Sequence, residues 1–327
     1  MRKSGPLRSR QAVMKDEFFA LHLDDEEESL AGPSGRTFMA AGQVRCVFSA
    51  ATPVKIGMGV NSRTHESLTF RFVEQTGEAD FVSRLLSDRH LPQGEAELIT
   101  LDELVEDYSP QLAHFEEHVV PAMLERGTPE DALTSAIDGL VINGLFGLGL
   151  VYLERGQSGR AAALFNDLAR SGVDFEGGDQ FLFNDLGITL RKCGLYDLAI
   201  AFFLRALKYV QDDENLFYNL ARAHYENDDW TRSLDYLIQS HKFDPTLTVT
   251  NALLELMVGL EADERLLARY DKPPVPPAVA ARARQILAAG SGRLKLDDTL
   301  VGRPVEPGRA RSGGPGHVEL KRHGDED

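Results

Sequence analysis

The chain has 327 residues, 43% of them hydrophobic, and a formal net charge of −16. That is enough apolar material for a sizeable core and enough length for roughly two domains, and the acid excess speaks against nucleic acid or an anionic membrane surface as a direct partner, since both call for a basic stripe. With only two cysteines, Cys46 and Cys193, neither a disulfide framework nor a four-thiolate zinc site is available.

Residues 1–36 carry six basic and seven acidic side chains, residues 293–327 seven of each, so the span between them holds −15 of the charge. Both ends are expected to be disordered tails, because neither has a periodic apolar pattern. Within the first, Phe18-Phe19-Ala20-Leu21-His22-Leu23 precedes the acids Asp24 to Glu28, as a tethered segment or a short linear motif would. No apolar run follows Arg2-Lys3, so no secretory signal is expected and the cytoplasm is the expected compartment. The most apolar stretch, Gly139 to Leu153, is too short and glycine-rich for a membrane span.

Residues 37–100 have the texture of a small antiparallel β module of three to five strands. Gln43 to Phe48 and Ser67 to Val73 alternate polar with apolar or β-branched residues. Phe81 to Leu86 and Glu95 to Thr100 extend the pattern. Residues 101–140 then read as a helical connector and partial repeat, with helices at Leu101 to Leu104, Gln111 to Arg126 and Pro129 to Asp138.

The chemistry-bearing motifs are few. His114-Phe115-Glu116-Glu117-His118 matches the H-x-x-E-H string, whose two histidines share one helix face. A zinc hydrolase through His114 and His118 needs a third protein ligand, and none is identifiable in the sequence. The competing expectation is a charged helix face beside Leu112, Phe115, Val119 and Met123. Gly57-Met58-Gly59 lacks the third glycine of a dinucleotide loop, and no Ser/His/Asp arrangement stands out. No enzyme activity, cofactor or metal is expected.

The dominant signal lies in residues 141–246, where a spaced set of residues recurs. Phe183, Leu186, Gly187, Gly194, Tyr196, Ala199, Phe203 and Ala206 return 34 residues later as Phe217, Leu220, Ala221, Asp228, Trp230, Ser233, Leu237 and Ser240, closing on Asp244-Pro245. An earlier copy, Leu145, Leu148, Gly149, Tyr152, Gly156, Ala161, Phe165 and Leu168, is offset by 38, with the extra four residues assigned to the turn Asp174 to Gly178. A fixed period of this length means stacked helix-turn-helix units. Gly187 lets the second helix approach, Gly194 ends the first helix in a left-handed residue, and Pro245 stops the third unit. Thr248 to Leu260 and Ala262 to Tyr270, within residues 247–292, read as capping helices.

This pattern resembles the tetratricopeptide repeat (TPR) family over about residues 129–260. Its signature positions are Gly149, Tyr152, Ala161, Gly187, Ala199, Ala206, Trp230 and Pro245. The resemblance implies a mainly α fold, a TPR-like α-α superhelix (α-solenoid) behind the small β module. It also implies a concave groove, lined by the first helix of each unit, that binds an extended or helical peptide of a partner protein. The groove positions are Asn143, Phe146, Leu150 and Leu153; Asn184, Ile188 and Arg191; and Asn215, Tyr218, Arg222 and Tyr225. Asparagines can hold a peptide backbone, arginines a carboxylate and aromatics an apolar side chain, although nearby acids would compete for the arginines. Phe146 and Leu150 stand where a subgroup that clamps C-terminal carboxylates has Lys and Asn, which speaks against that clamp. The expected function is a non-enzymatic adaptor or scaffold for protein binding. A dedicated chaperone of a secreted or assembling client is the alternative.

Overall fold

The computed structural model describes residues 34–56, 63–127, 137–172 and 180–289. The tail 293–327, nearly all of the tail 1–36, the Gly57–Gly59 string and most of the Pro129 to Asp138 helix lie outside the described residues. The sequence places Gly35 and Arg36 in the tail, whereas they open a helix, α1 (Gly35–Ala41), on which Ser34 Oγ accepts from Arg36 N at 3.3 Å.

Five strands follow: β1 (Arg45–Ile56), β2 (Arg63–Gln75), β3 (Asp80–Leu86), β4 (Pro92–Thr100) and, after helix α2 (Leu101–Asp107), β5 (Tyr108–Pro110). They pair antiparallel throughout in the order β4-β3-β2-β1-β5. Register explains the alternation. Cys46 and Phe48 share one face with Val73 and Phe81, while Val47 shares the other with Phe72, whose ring meets Phe115 at 5.9 Å. Cys46, Val47 and Phe48 are all fully buried, so this part of β1 is covered on both faces, as suits a strand with neighbours on either side. Thr100 and Glu103 form a reciprocal capping box that starts α2.

The connector helix α3 runs from Leu112 to Arg126 and contains a π-helical turn at Phe115–Val119. Three helix pairs come next: α4 (Gly139–Glu154) with α5 (Ser158–Arg170), α6 (Gln180–Lys192) with α7 (Tyr196–Ala206), and α8 (Glu214–Glu226) with α9 (Trp230–Phe243). The turns within the pairs are the same turn three times. Gly156, Gly194 and Asp228 sit at the same repeat position with φ of 74°, 74° and 57°. One residue on, Gln157, Leu195 and Asp229 each donate a backbone N–H to the carbonyl five residues back, on Tyr152, Leu190 and His224, at 2.8, 3.0 and 2.9 Å. That pattern satisfies the carbonyls left over at a helix end. Asp is tolerated at the third turn because its short polar side chain accepts the left-handed region better than most.

The packing inside the pairs repeats too. A Cβ on Gly149 would lie 2.5 Å from the Phe165 ring, and one on Gly187 would lie 2.6 Å from Phe203. At the third copy the pair is Ala221 and Leu237, both fully buried: the added methyl coincides with loss of a ring. Gly187→Ala should therefore destabilise the chain by about 1–3 kcal/mol, because the buried Phe203 ring has nowhere to swing. Adding Phe203→Leu, which copies the third pair, should recover most of the loss in urea unfolding. Additive costs would contradict the shared register.

The remaining helices are α10 (Thr248–Gly259), α11 (Glu264–Tyr270) and α12 (Pro277–Ala289). The sequence pairs α10 with α11. In the structure α10 packs mainly on α12, whose Ala280, Ala283 and Ile286 are buried, while α11 has no fully buried residue. Short helix α11 is a spacer between the two.

The β module and the first helix pairs share one core. Met39, Phe48, Phe115, Phe146, Phe165, Phe202 and Phe203 belong to a single cluster of buried side chains, and a second cluster joins α8 and α9 to α10 and α12. Arg160 of α5 ties the two parts together. Its guanidinium donates to the carbonyls of Val105 and Tyr108 and to Tyr152 Oη, 3.1 Å away, and stands over the Tyr152 ring at 4.3 Å. Burial pushes the Tyr152 phenol up to about 12.

Candidate functional site

Of the inner residues expected on α4, Phe146 and Leu150 are closed to a ligand. Phe146 is fully buried among Phe38, Phe165 and Phe202, with ring centres 5.1, 5.0 and 5.8 Å away. Leu150 is 4% exposed, and Asn143 and Leu153 are half-buried. The cause is α1, which lies across α4 at backbone distance. A Cβ on Gly144 would come within 2.3 Å of the Gln43 backbone, and one on Gly147 within 2.6 Å of Met39 N. Gln43 N also donates to the Leu140 carbonyl at 2.8 Å, and Gly35 N to Glu154 Oε1 at 2.7 Å. The first unit's inner side is covered by the chain itself, so Phe146 is a core residue and not a groove anchor.

On α6 and α8 the expected residues do come together. Asn219 Nδ2 donates to Asn184 Oδ1 at 2.9 Å, across the two helices. Ile188 is half-buried, Asn215 is exposed, and its amide donates to Glu214 at 3.2 Å. Arg191 and Arg222 converge on one oxygen of Glu226, at 2.7 and 2.9 Å, and Arg222 also donates to Tyr218 Oη at 3.3 Å. Arg191 is 5% exposed. It is thus engaged within the fold rather than offered to a partner's carboxylate, and reversing its charge would place two carboxylates in contact.

Two further aromatic anchors are corrected as well. Tyr218 is 8% and Tyr225 7% exposed. Trp230 packs edge-on against Tyr225 with ring centres 5.6 Å apart, and Lys272, from the segment after α11, stands over its ring at 5.2 Å. That lysine is anchored by the Glu226 carbonyl and Asp228 Oδ1, both at 2.8 Å. Burial raises the Tyr225 phenol above its ordinary range.

What remains open is a narrower strip over α6 and α8: Phe181, Asn184, Ile188, Asn215 and Asn219. Phe181 is 57% exposed, a large apolar side chain in the first turn of α6. Sequence reading missed Phe181, Asn219 and Glu226. The signal for the last two was an offset of 35, one more than the repeat, which joins Asn184 to Asn219 and Arg191 to Glu226 alike. Asp185, the neighbour of Asn184, has its carboxyl pushed above the usual carboxylate range, chiefly by burial.

The signature residues sit in the packing, as their types require. Tyr152, Ala161, Ala199 and Ala206 are fully buried and Trp230 is 7% exposed, while the Pro245 carbonyl accepts from Asn251 Nδ2 at 3.0 Å just beyond α9. His114 and His118 lie on α3, remote in sequence from this strip. Among the described residues no helix is long and apolar enough to cross a membrane.

No family model matches the chain. No curated protein matches it either. Among solved structures it is similar to those of MamA: the MSR-1 and AMB-1 proteins are each 14% identical with a TM-score of 0.27, covering 54% of this chain and 91% and 92% of theirs. A further MamA structure, 15% identical with a TM-score of 0.28, covers 58% of this chain and 93% of its own. Scores this low leave the fold to be argued from the chain's own repeated turns and contacts.

Proposed function

We propose that the chain is a non-enzymatic protein-binding adaptor of TPR type, with its helix pairs stacked as a superhelix, and that it holds a peptide segment of its partner along α6 and α8. The observation that carries this reading is the Asn184–Asn219 pair. Each amide has several hydrogen-bonding positions; the bond between them uses one on each side, and Asn184 Nδ2 gives another to Asp185 Oδ1 at 3.5 Å. The rest suit the alternating donors and acceptors of a peptide backbone. Phe181 and Ile188 supply apolar surface on either side of Asn184 along α6. The acidic balance of the whole chain favours a segment with basic residues flanking an apolar one. α1 confines the strip to the second and third units, which suits a short segment better than a long one.

Peptides selected from a displayed random library against the full chain provide the test. Their affinity, read by fluorescence anisotropy, should fall at least about tenfold in the Asn184→Ala/Asn219→Ala variant, since each lost backbone contact is worth about 1 kcal/mol. Thermal unfolding of the variant establishes that the fold is kept. Selected peptides that bind the folded variant as tightly as the original chain would refute the reading.

A further inference from the structure

We propose that His90, His114 and His118 form a binding site for one divalent transition-metal ion, with zinc the best fit. The H-x-x-E-H string on α3 lacked a third ligand in sequence, and the fold supplies one from the turn between β3 and β4. The ring centres of His90 and His114 are 5.2 Å apart, those of His90 and His118 5.0 Å, and those of His114 and His118 4.8 Å. Three imidazoles sharing one zinc through bonds of ~2.0–2.1 Å hold their ring centres about 5 Å apart, so the triangle already has the required size.

Three local features hold it. His90 has φ of 58°, a left-handed backbone unusual for a residue other than glycine. The turn is fixed on both sides of it: Ser87 and Leu91 exchange bonds of 2.9 and 3.1 Å, and His90 N donates to the Ser87 carbonyl at 2.9 Å. The π-helical turn of α3, Phe115–Val119, starts just after His114 and contains His118, and such turns recur at functional sites. Phe70 of β2 stacks flat on His114 at 4.4 Å, which sets that ring's plane, and His114 Nε2 is buried without a hydrogen-bond partner. A buried imidazole nitrogen lacking a partner is the atom a metal would take.

As the rings now stand, no group of three or more His, Cys, Asp or Glu among the described residues is already arranged to hold an ion. His90 and His118 are near parallel, at 21°, instead of converging. Imidazole χ2 is soft, and His118 is exposed, so turning the rings brings nitrogens inward without moving the backbone. The site would leave one zinc position for water and shares no residue with the α6–α8 strip, so it is a second site and not part of the peptide-binding one.

Zinc titration of the tag-free full chain, stripped with chelator and followed by isothermal calorimetry, is the test. One equivalent should bind, and His118→Ala should weaken it at least about tenfold. His90→Gly is the sharper variant, because its backbone already has the conformation glycine prefers, so the fold is kept while the ligand goes. His317→Ala/His323→Ala should change nothing. Absence of binding, or binding that survives both His90→Gly and His118→Ala, would overturn the site.

Discussion

Gly144→Ala should be among the most destabilising single methyl additions to the chain. The new Cβ would lie 2.3 Å from the Gln43 carbonyl carbon, 2.5 Å from its oxygen and 2.5 Å from Val44 N. These are backbone atoms, which cannot rotate aside as a side chain can. They are also held where they are, since Gln43 N donates to Leu140 on the same helix. Relief requires α1 to lift off α4, exposing Met39, Val44 and Phe146, which are at most 1% exposed in the fold. Losing the burial of even two such side chains costs above about 3 kcal/mol. Urea unfolding should show that loss, and limited proteolysis should cut faster between residues 34 and 44. An unchanged midpoint would mean that α1 does not pack there. The contrast is Gly159→Ala on α5, where a Cβ meets nothing within 4 Å and should be neutral or slightly stabilising.

Glu226→Ala should cost about 3–5 kcal/mol, the range for removing one partner of a buried ion pair. One oxygen of this carboxylate receives Arg191 and Arg222, whose side chains are 4% and 13% exposed. Desolvated guanidinium groups keep their charge, so losing the shared anion is expensive. Glu226→Gln should cost less, because the amide oxygen still accepts hydrogen bonds though the charge is gone. Total stability of a domain is only about 5–15 kcal/mol, so the alanine variant approaches the unfolding threshold. Thermal denaturation that ranks alanine well below glutamine supports the network; equal and small losses would reduce it to a surface pair.

The repeat register was legible because each position has a local physical reason. A glycine faces a ring, a small residue sits in the next turn, and a left-handed residue ends the helix, so spacing alone exposes them. The strands of the β module were legible in place, with bounds that fell short. β1 extends to Ile56 and β2 begins at Arg63. Helix α1 was not legible. Its seven residues show no apolar period, and what holds them is a pair of glycines about a hundred positions downstream. Sequence spacing shows which side of a helix is inward but not what covers it. Hence Phe146, Tyr218 and Tyr225, assigned to an open wall, belong to the interior. The third histidine was hidden for the same reason: nothing local to His90 marks it, and only the β3–β4 turn brings it to α3.

The claim on which the functional reading rests is that ligand contact falls on the first helices of the second and third units. Photo-crosslinking tests it directly, with benzoylphenylalanine placed in turn at Phe181 on α6 and at Leu204 on α7, both exposed in the fold. A bound peptide should crosslink at position 181 and not at 204. Crosslinking at 204 with none at 181 would contradict the account.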